Sequence, residues 1–196
     1  MIELTRVAVF CGSSPGRDPA FEDLARELGA LLAHRRIGLV YGGGNVGLMG
    51  TLADAVLAGG GHVTGVIPEH LWAKEVGHLE LQELLVVGSM HERKLAMADR
   101  ADAFIAMPGG VGTFEEMFEA ITWTQLGIHH KPMGILDAGG FYQPLLRFLD
   151  QTVAAGFLRQ DGRDIVVSSS DPAELLGMLE RWEGPSAPPW LSPEER

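Results

Sequence analysis

The sequence predicts an α/β protein: a doubly wound parallel sheet of about seven strands, Rossmann-like, in a single domain. Three observations lead there. Short apolar runs alternate with amphipathic helical stretches along most of the chain. Those runs are apolar throughout rather than at every second residue, which suits strands covered by helices on both faces. Glycine is abundant, 26 of 196 residues, and gathers at the ends of the runs, where α/β folds place ligand-binding turns.

The elements follow in chain order. The first strand-like run is Arg6–Ser13 (RVAVFCGS), and Pro19–His34 behind it has helical periodicity. Ile37–Gly42 (IGLVYG) leads into a helix at Val46–Ala58, and His62–Ile67 (HVTGVI) is the third strand. Residues Pro68–Gln82 are less regular and read as a loop or a short helix over one sheet edge. Glu83–Val87 (ELLVV) is followed by Ser89–Arg100, whose Ser89-x-x-Glu92 pattern is a capping box that starts a helix near Met90. Ala103–Met107 (AFIAM) is ended by Pro108, and Thr113–Gln125 is the next helix, with Thr113-x-x-Glu116 as a second capping box. Met133–Asp137, Tyr142–Ala155, Asp164–Val167 and Pro172–Trp182 complete the alternation. Right-handed crossovers join such strands in parallel. The domain is expected over 1–183, with a proline-rich tail at 184–196 outside the fold.

Composition excludes several function classes. A formal net charge of -11 argues against nucleic acid or anionic membranes as partners. A small phosphate remains possible, because backbone dipoles dominate at contact distance. The single cysteine, Cys11, allows no intramolecular disulfide and no cysteine metal cluster, and reads as a small buried residue at a strand end. The histidines have no metal-ligand spacing, and no G-x-S-x-G elbow occurs, so no metal, no other cofactor and no serine triad is expected. No apolar run approaches a membrane span and the N-terminus lacks a signal-peptide layout, which makes the cytoplasm the expected location.

The chemistry is expected at four turns: CGSSPG (Cys11–Gly16), YGGGNVG (Tyr41–Gly47), GSMHERK (Gly88–Lys94) and PGGVGTFEE (Pro108–Glu116). Gly42, Gly44 and Gly47 have dinucleotide-fingerprint spacing, but on the second strand; tight turning and close helix packing explain Gly47 and Gly50 equally. In PGGVGTFEE, Gly109, Gly110 and Gly112 let the backbone present amides to a phosphate at the helix start. No lysine follows in Walker A form. Glu116 reads either as half of the capping box or as an ionised carboxylate that stabilises a cation or activates water. Phe114, Met117, Phe118 and Ile121 are expected as the apolar stripe of this helix, opposite Glu115, Glu116, Glu119 and Thr122. Arg93 and Lys94 stand in a first helical turn, where the dipole disfavours cations. They are either a solvated pair or are offset by an anion: a ligand phosphate, or the carboxylates of a neighbouring turn. The strands before the two turns, Glu83–Val87 and Ala103–Met107, are expected side by side.

At these residues the chain resembles the Lonely Guy family of cytokinin-activating phosphoribohydrolases, over roughly Val7 to Phe157. The resemblance rests on CGSS, YGGGNVGLMG, MHERK, PGGVGTFEE and ITWTQLGIHHKP. It implies a metal-free, Rossmann-like homodimer that hydrolyses the N-glycosidic bond of N6-modified adenosine 5'-monophosphates. It implies catalytic roles for Arg93 and Glu116. It places Glu75, Lys94, Gly110, Val111, Gly112, Thr113, Phe114, Glu115 and Thr122 in nucleotide binding, with Gly109 completing the phosphate turn. The lysine decarboxylase label attached to the same family finds no pyridoxal-phosphate lysine here. Two other functions are weighed: a nucleosidase acting on unmodified AMP, and a non-catalytic carrier of the molybdenum cofactor, which similar architectures imply. For the dimer, Trp123 and Leu126 lie beyond the main helix stripe, as interface residues or as internal packing.

Overall fold

The apolar runs become seven strands of one sheet: β1 (Arg6–Phe10), β2 (Gly38–Tyr41), β3 (Val63–Pro68), β4 (Glu83–Val87), β5 (Ala103–Ala106), β6 (Met133–Leu136) and β7 (Val166–Ser169). A computed structural model describes residues 1–72, 78 and 81–185. The strands run parallel in the order β4-β3-β2-β1-β5-β6-β7. Val7 pairs with Leu39 on one side and Ala103 on the other, so β1 sits at the reversal of strand order.

Side chains alternate between two cores. Val7, Val9, Leu39, Tyr41, Val63 and Ile105 face a layer of three helices: α1 (Pro19–Arg35), α2 (Gly47–Ala58) and α8 (Pro172–Glu180). Ala8, Phe10, Val40, Val66, Phe104 and Ile135 face α4 (Met90–Asp99), α5 (Val111–Leu126) and α6 (Gln143–Ala154). Both faces are thus covered, which is why the strands need no polar alternation. The short helices α3 (Glu69–Trp72) and α7 (Gln160–Arg163), and a 3-10 turn at Ala138–Gly140, complete the chain. Helix α3 is the short helix expected after the third strand. Glu75 and residues 186–196 of the expected tail lie outside the described residues.

Helix ends follow capping chemistry. Asp18 accepts from the Ala20 amide and Pro19 opens α1. Helix α1 closes at Arg36, held in the left-handed region at φ 59. Ser89 accepts from the Glu92 amide, and Glu92 reaches back to the Gly88 amide, so α4 starts at Met90 as expected.

Two expectations are corrected. The strand at Glu83–Val87 is the sheet edge and does not neighbour Ala103–Ala106; β3, β2 and β1 lie between them. Helix α4 crosses back over those strands and brings its first turn to the centre. The last strand is Val166–Ser169 rather than Asp164–Val167, because Asp164 caps α7.

Candidate active site

Around β1 the connections leave on opposite faces: α1 covers one, while α5, which follows β5, covers the other. The crevice outside such a switch point is where open α/β sheets take ligands. Three of the four glycine-bearing turns are stitched together there. The Gly12 amide donates to the Pro108 carbonyl at 3.0 Å, and the Leu48 amide donates to the Gly12 carbonyl at 3.1 Å. Gly47, at φ 55, lies so close to Ser13 that a Cβ would stand 2.4 Å from its carbonyl carbon. The turn and close approach expected of Gly47 are therefore what it supplies.

Helix α5 starts two residues earlier than expected, at Val111, with Gly110 as an extended N-cap that offers no side-chain hydrogen bond. The Thr113–Glu116 capping box is not formed. Thr113 is buried inside the first turn, its hydroxyl packed on Gly109, where a Cβ would lie 2.1 Å from Oγ1. The first turn of α5 thus keeps backbone amides without a side-chain cap, at the positive end of the helix dipole. Gly110, Val111 and Gly112 are exposed around it, and Phe114 is half-buried. The Phe114 ring meets Tyr142 edge-on at 6.1 Å, and the Tyr142 hydroxyl donates to the Met107 carbonyl at the end of β5.

Both predicted cations are buried. The Arg93 guanidinium packs against the α-carbon of Gly42, where a Cβ would come within 2.0 Å of Nη2. Nη2 lies 3.9 Å from Glu116 Oε1, Nη1 donates to Met90 Sδ at 3.9 Å, and Nε has no hydrogen-bond partner among the described residues. A buried guanidinium so sparsely bonded keeps donor capacity unused among the described residues. Lys94 is buried as well, with Nζ 2.9 Å from Glu119 Oε2 and in contact with Glu115 Oε1. Burial works to lower its pKa, but the bonds and charges of the two glutamates override that and hold it above its ordinary value. The anion that offsets these cations is thus the carboxylate set of α5. Glu115, which the motif alone leaves without a task, is one of its members.

Cys11 stands close enough to feel both Glu116 and Arg93. Burial, followed by the Glu116 carboxylate, pushes its thiol well above the ordinary range, so it is a packed residue and not a nucleophile. Thr122 is not brought to this cluster. It stands one turn beyond Glu119 and eleven residues from the start of α5, about 16 Å along the axis from the glycine turn, exposed, with its hydroxyl donating to the Phe118 carbonyl. Phe118, expected in the apolar stripe, is exposed, and the buried face of α5 is Thr113, Met117, Ala120, Ile121 and Thr124. Trp123 packs internally, against His129. A cavity of about 420 Å³ opens beyond β6 and β7 beside Asp137, and none of the predicted site residues lines it.

Three contributors escape the motif reading. Gly42 matters as the seat of Arg93, Glu119 as a partner of Lys94, and Tyr142 as the brace of Phe114 and β5. In the sequence Gly42 carries only its fingerprint spacing, and Glu119 its place four residues beyond Glu115 on the same helix face.

Comparison with known proteins gives the family and the fold. A family model described as possible lysine decarboxylase matches residues 49–179. A cytokinin riboside 5'-monophosphate phosphoribohydrolase of Arabidopsis thaliana is 51% identical over 178 residues, covering 91% of this chain and 82% of that protein. A probable enzyme of the same name from Oryza sativa subsp. japonica is 53% identical over 177 residues, covering 90% and 78%. Among solved structures, a molybdenum cofactor carrier protein of Chlamydomonas reinhardtii superposes with a TM-score of 0.69 at 20% identity, over 92% of this chain and 98% of that one. A molybdenum cofactor binding protein of Rippkaea orientalis gives 0.63 at 20% identity, over 91% and 96%. At such identities these two share the fold.

Proposed function

Because the chain belongs to the Lonely Guy phosphoribohydrolase family, we propose that it hydrolyses the N-glycosidic bond of cytokinin riboside 5'-monophosphates, releasing the free base and ribose 5-phosphate. The observation that carries this reading is the buried, under-bonded Arg93 guanidinium 3.9 Å from Glu116, beside an uncapped helix start at the switch point.

The chemistry follows from that arrangement. The 5'-phosphate takes the amides of the Gly109–Thr113 turn and the positive end of α5. Glu116 is five residues into the helix, about 7.5 Å along the axis from its start, which sets a carboxylate apart from the phosphate and toward the ribose. Bond breaking at the anomeric carbon builds positive charge, which Glu116 stabilises. Water attacks that carbon and gives its proton to Glu116. The C–N bond electrons leave with the base, which is protonated at a ring nitrogen. Arg93 holds the carboxylate and a ribose oxygen in register. Glu115 and the turn from Gly110 to Phe114 belong to the binding wall.

A homodimer and a cytoplasmic location complete the reading. Leu95, Val111 and Phe118 are exposed apolar side chains around α4 and the start of α5, and support a second copy covering this face. Among the described residues no helix is long and apolar enough to cross a membrane.

The test is incubation with isopentenyladenosine monophosphate and with AMP, followed by assay of base and ribose 5-phosphate. Release from the modified nucleotide, lowered about 10²–10³-fold in Glu116→Gln and Arg93→Ala, is expected. Equal release from AMP would make it a broad nucleosidase, and none from either would leave a carrier. Near-wild-type turnover of Glu116→Gln removes that residue from the mechanism.

A further inference from the structure

We propose that Lys94 and Glu119 are positioning residues, and that the ammonium seated between Glu115 and Glu119 sets the spacing of Arg93 and Glu116. This rests on the phosphoribohydrolase reading of the site.

The two helices need such a tie. Helix α4 begins at the sheet edge after β4, while α5 begins at β5, four places away in the strand order. No short connection fixes their separation at the end that carries the chemistry. At the other end Lys131 Nζ donates 2.6 Å to the Ala98 carbonyl in the last turn of α4. At the chemical end the corresponding tie is Lys94, the residue next to Arg93.

The register supports the assignment. Consecutive residues on a helix point about 100° apart, while residues four apart share a face. Arg93 therefore meets Glu116, while Lys94 meets the stacked pair Glu115 and Glu119 on the adjoining face. Without Lys94, two carboxylates four residues apart repel each other. With it, the cluster is bound and Lys94 is already satisfied by anions. A lysine in direct charge of the substrate phosphate would have to leave two carboxylates to reach it. Lys94, 7% exposed, is instead buried beneath them, with Glu115 at the surface and Glu119 partly covered.

The experiment uses the full chain with Lys94→Met, Lys94→Arg, Glu119→Gln and the Lys94→Met/Glu119→Gln double variant. Turnover and KM are measured on isopentenyladenosine monophosphate, ribose 5-phosphate affinity by calorimetry, and folding by thermal melting. A displacement of the catalytic pair by about 1 Å lowers kcat by roughly 10² in Lys94→Met, and about tenfold in Glu119→Gln, where Glu115 still holds the lysine. KM and ribose 5-phosphate affinity stay within about threefold, since the phosphate turn is untouched. Lys94→Arg, which can bridge two carboxylates, recovers activity to within about tenfold of the parent. The double variant is no slower than Lys94→Met, as expected of residues acting as a unit.

Weaker ribose 5-phosphate binding by about tenfold in Lys94→Met, with kcat retained, would overturn the proposal in favour of a direct phosphate contact. So would tighter binding in Glu119→Gln, where a released lysine could turn to the phosphate. If Lys94→Met fails to fold, Glu119→Gln decides alone: unchanged kcat sinks the positioning role. A parent protein that releases no base from any nucleoside monophosphate fails the hydrolase reading instead, which an active parent with an indifferent Glu119→Gln does not.

Discussion

Replacing Gly42 by alanine tests the placement of Arg93 without touching a charged group. The backbone at Gly42 is not in the left-handed region, so alanine is conformationally tolerated. Its methyl group would lie 2.0 Å from Arg93 Nη2, 3.1 Å from Cζ and 3.2 Å from Met49 Sδ, where ordinary contact begins near 3.4 Å. The guanidinium tip must therefore withdraw by roughly 1.4 Å, because it is the movable partner. Misplacement by about 1 Å costs on the order of 10² in rate, or about 2.7 kcal/mol of barrier. Stability changes little by comparison. Gly→Ala at a compatible site gains about 0.4–1 kcal/mol through the unfolded chain, and the crowding at Met49 offsets part of that. The assay is base release from isopentenyladenosine monophosphate, paired with urea unfolding. Gly42→Ala is expected to lose about 10² in kcat with a denaturation midpoint near that of the parent. In an Arg93→Ala background the same change should cost nothing further. Parent-like turnover, or an additive loss in that background, would refute the placement of the guanidinium on Gly42.

Three further predictions concern residues outside the chemistry. Tyr41 is fully buried and its hydroxyl has no hydrogen-bond partner among the described residues, so Tyr41→Phe should raise unfolding stability by about 1 kcal/mol; a loss of that size would mean the hydroxyl is satisfied. Arg36 sits at φ 59 as the cap of α1, and Arg36→Gly should gain about 0.5–1 kcal/mol by relieving left-handed strain, read as a higher urea midpoint. Burial, aided by Lys131, lowers the His129 pKa to about 4 from an ordinary 6.5. Both states are then neutral above pH 6.5, while between 6.5 and 4 only the unfolded chain takes the proton. Stability therefore drops as the pH is lowered from 6.5 to 4, by no more than ~1.4 kcal/mol per unit before screening of the partly exposed ring reduces it. His129→Gln should flatten that slope relative to the parent, and parallel slopes would refute the assignment.

The sequence carried the fold because most strands are apolar throughout, and because α1, α4 and α8 begin at recognisable side-chain caps. Ser89 and Glu92 mark the α4 start at the residue where it occurs. The same rule misplaced the α5 start. Thr113 has the right spacing to Glu116, but the glycines before it allow the helix to begin at Val111, and a threonine packed on Gly109 cannot cap. Strand order was the other gap. Local periodicity says nothing about which strands pair, so β4 and β5 looked like neighbours and are not. Arg93 and Lys94 nonetheless reach Glu116 and Glu115, because α4 brings its first turn against α5. Gly42 was legible only as a turn glycine, since its use depends on an arginine 51 residues away in sequence.

Charge explains why both helices are needed. A first helical turn disfavours Arg93 and Lys94, so α4 alone would hold them poorly. A carboxylate-rich start suits the dipole of α5, but by itself it would repel the phosphate that the glycine turn invites. Placed side by side, the helices resolve both problems at once. Lys94 binds Glu115 and Glu119; on the proposed reading this frees the uncapped amides of α5 for the phosphate, and Arg93 and Glu116 for the ribose. On this reasoning, neutralising Glu119 does not simply remove a negative charge near an anionic substrate, which would favour binding. It loosens one of the two ties that hold Lys94, and kcat falls while ribose 5-phosphate affinity stays within about threefold. That contrast separates an electrostatic steering role from a positioning role, and kcat measured beside ribose 5-phosphate affinity reads it directly.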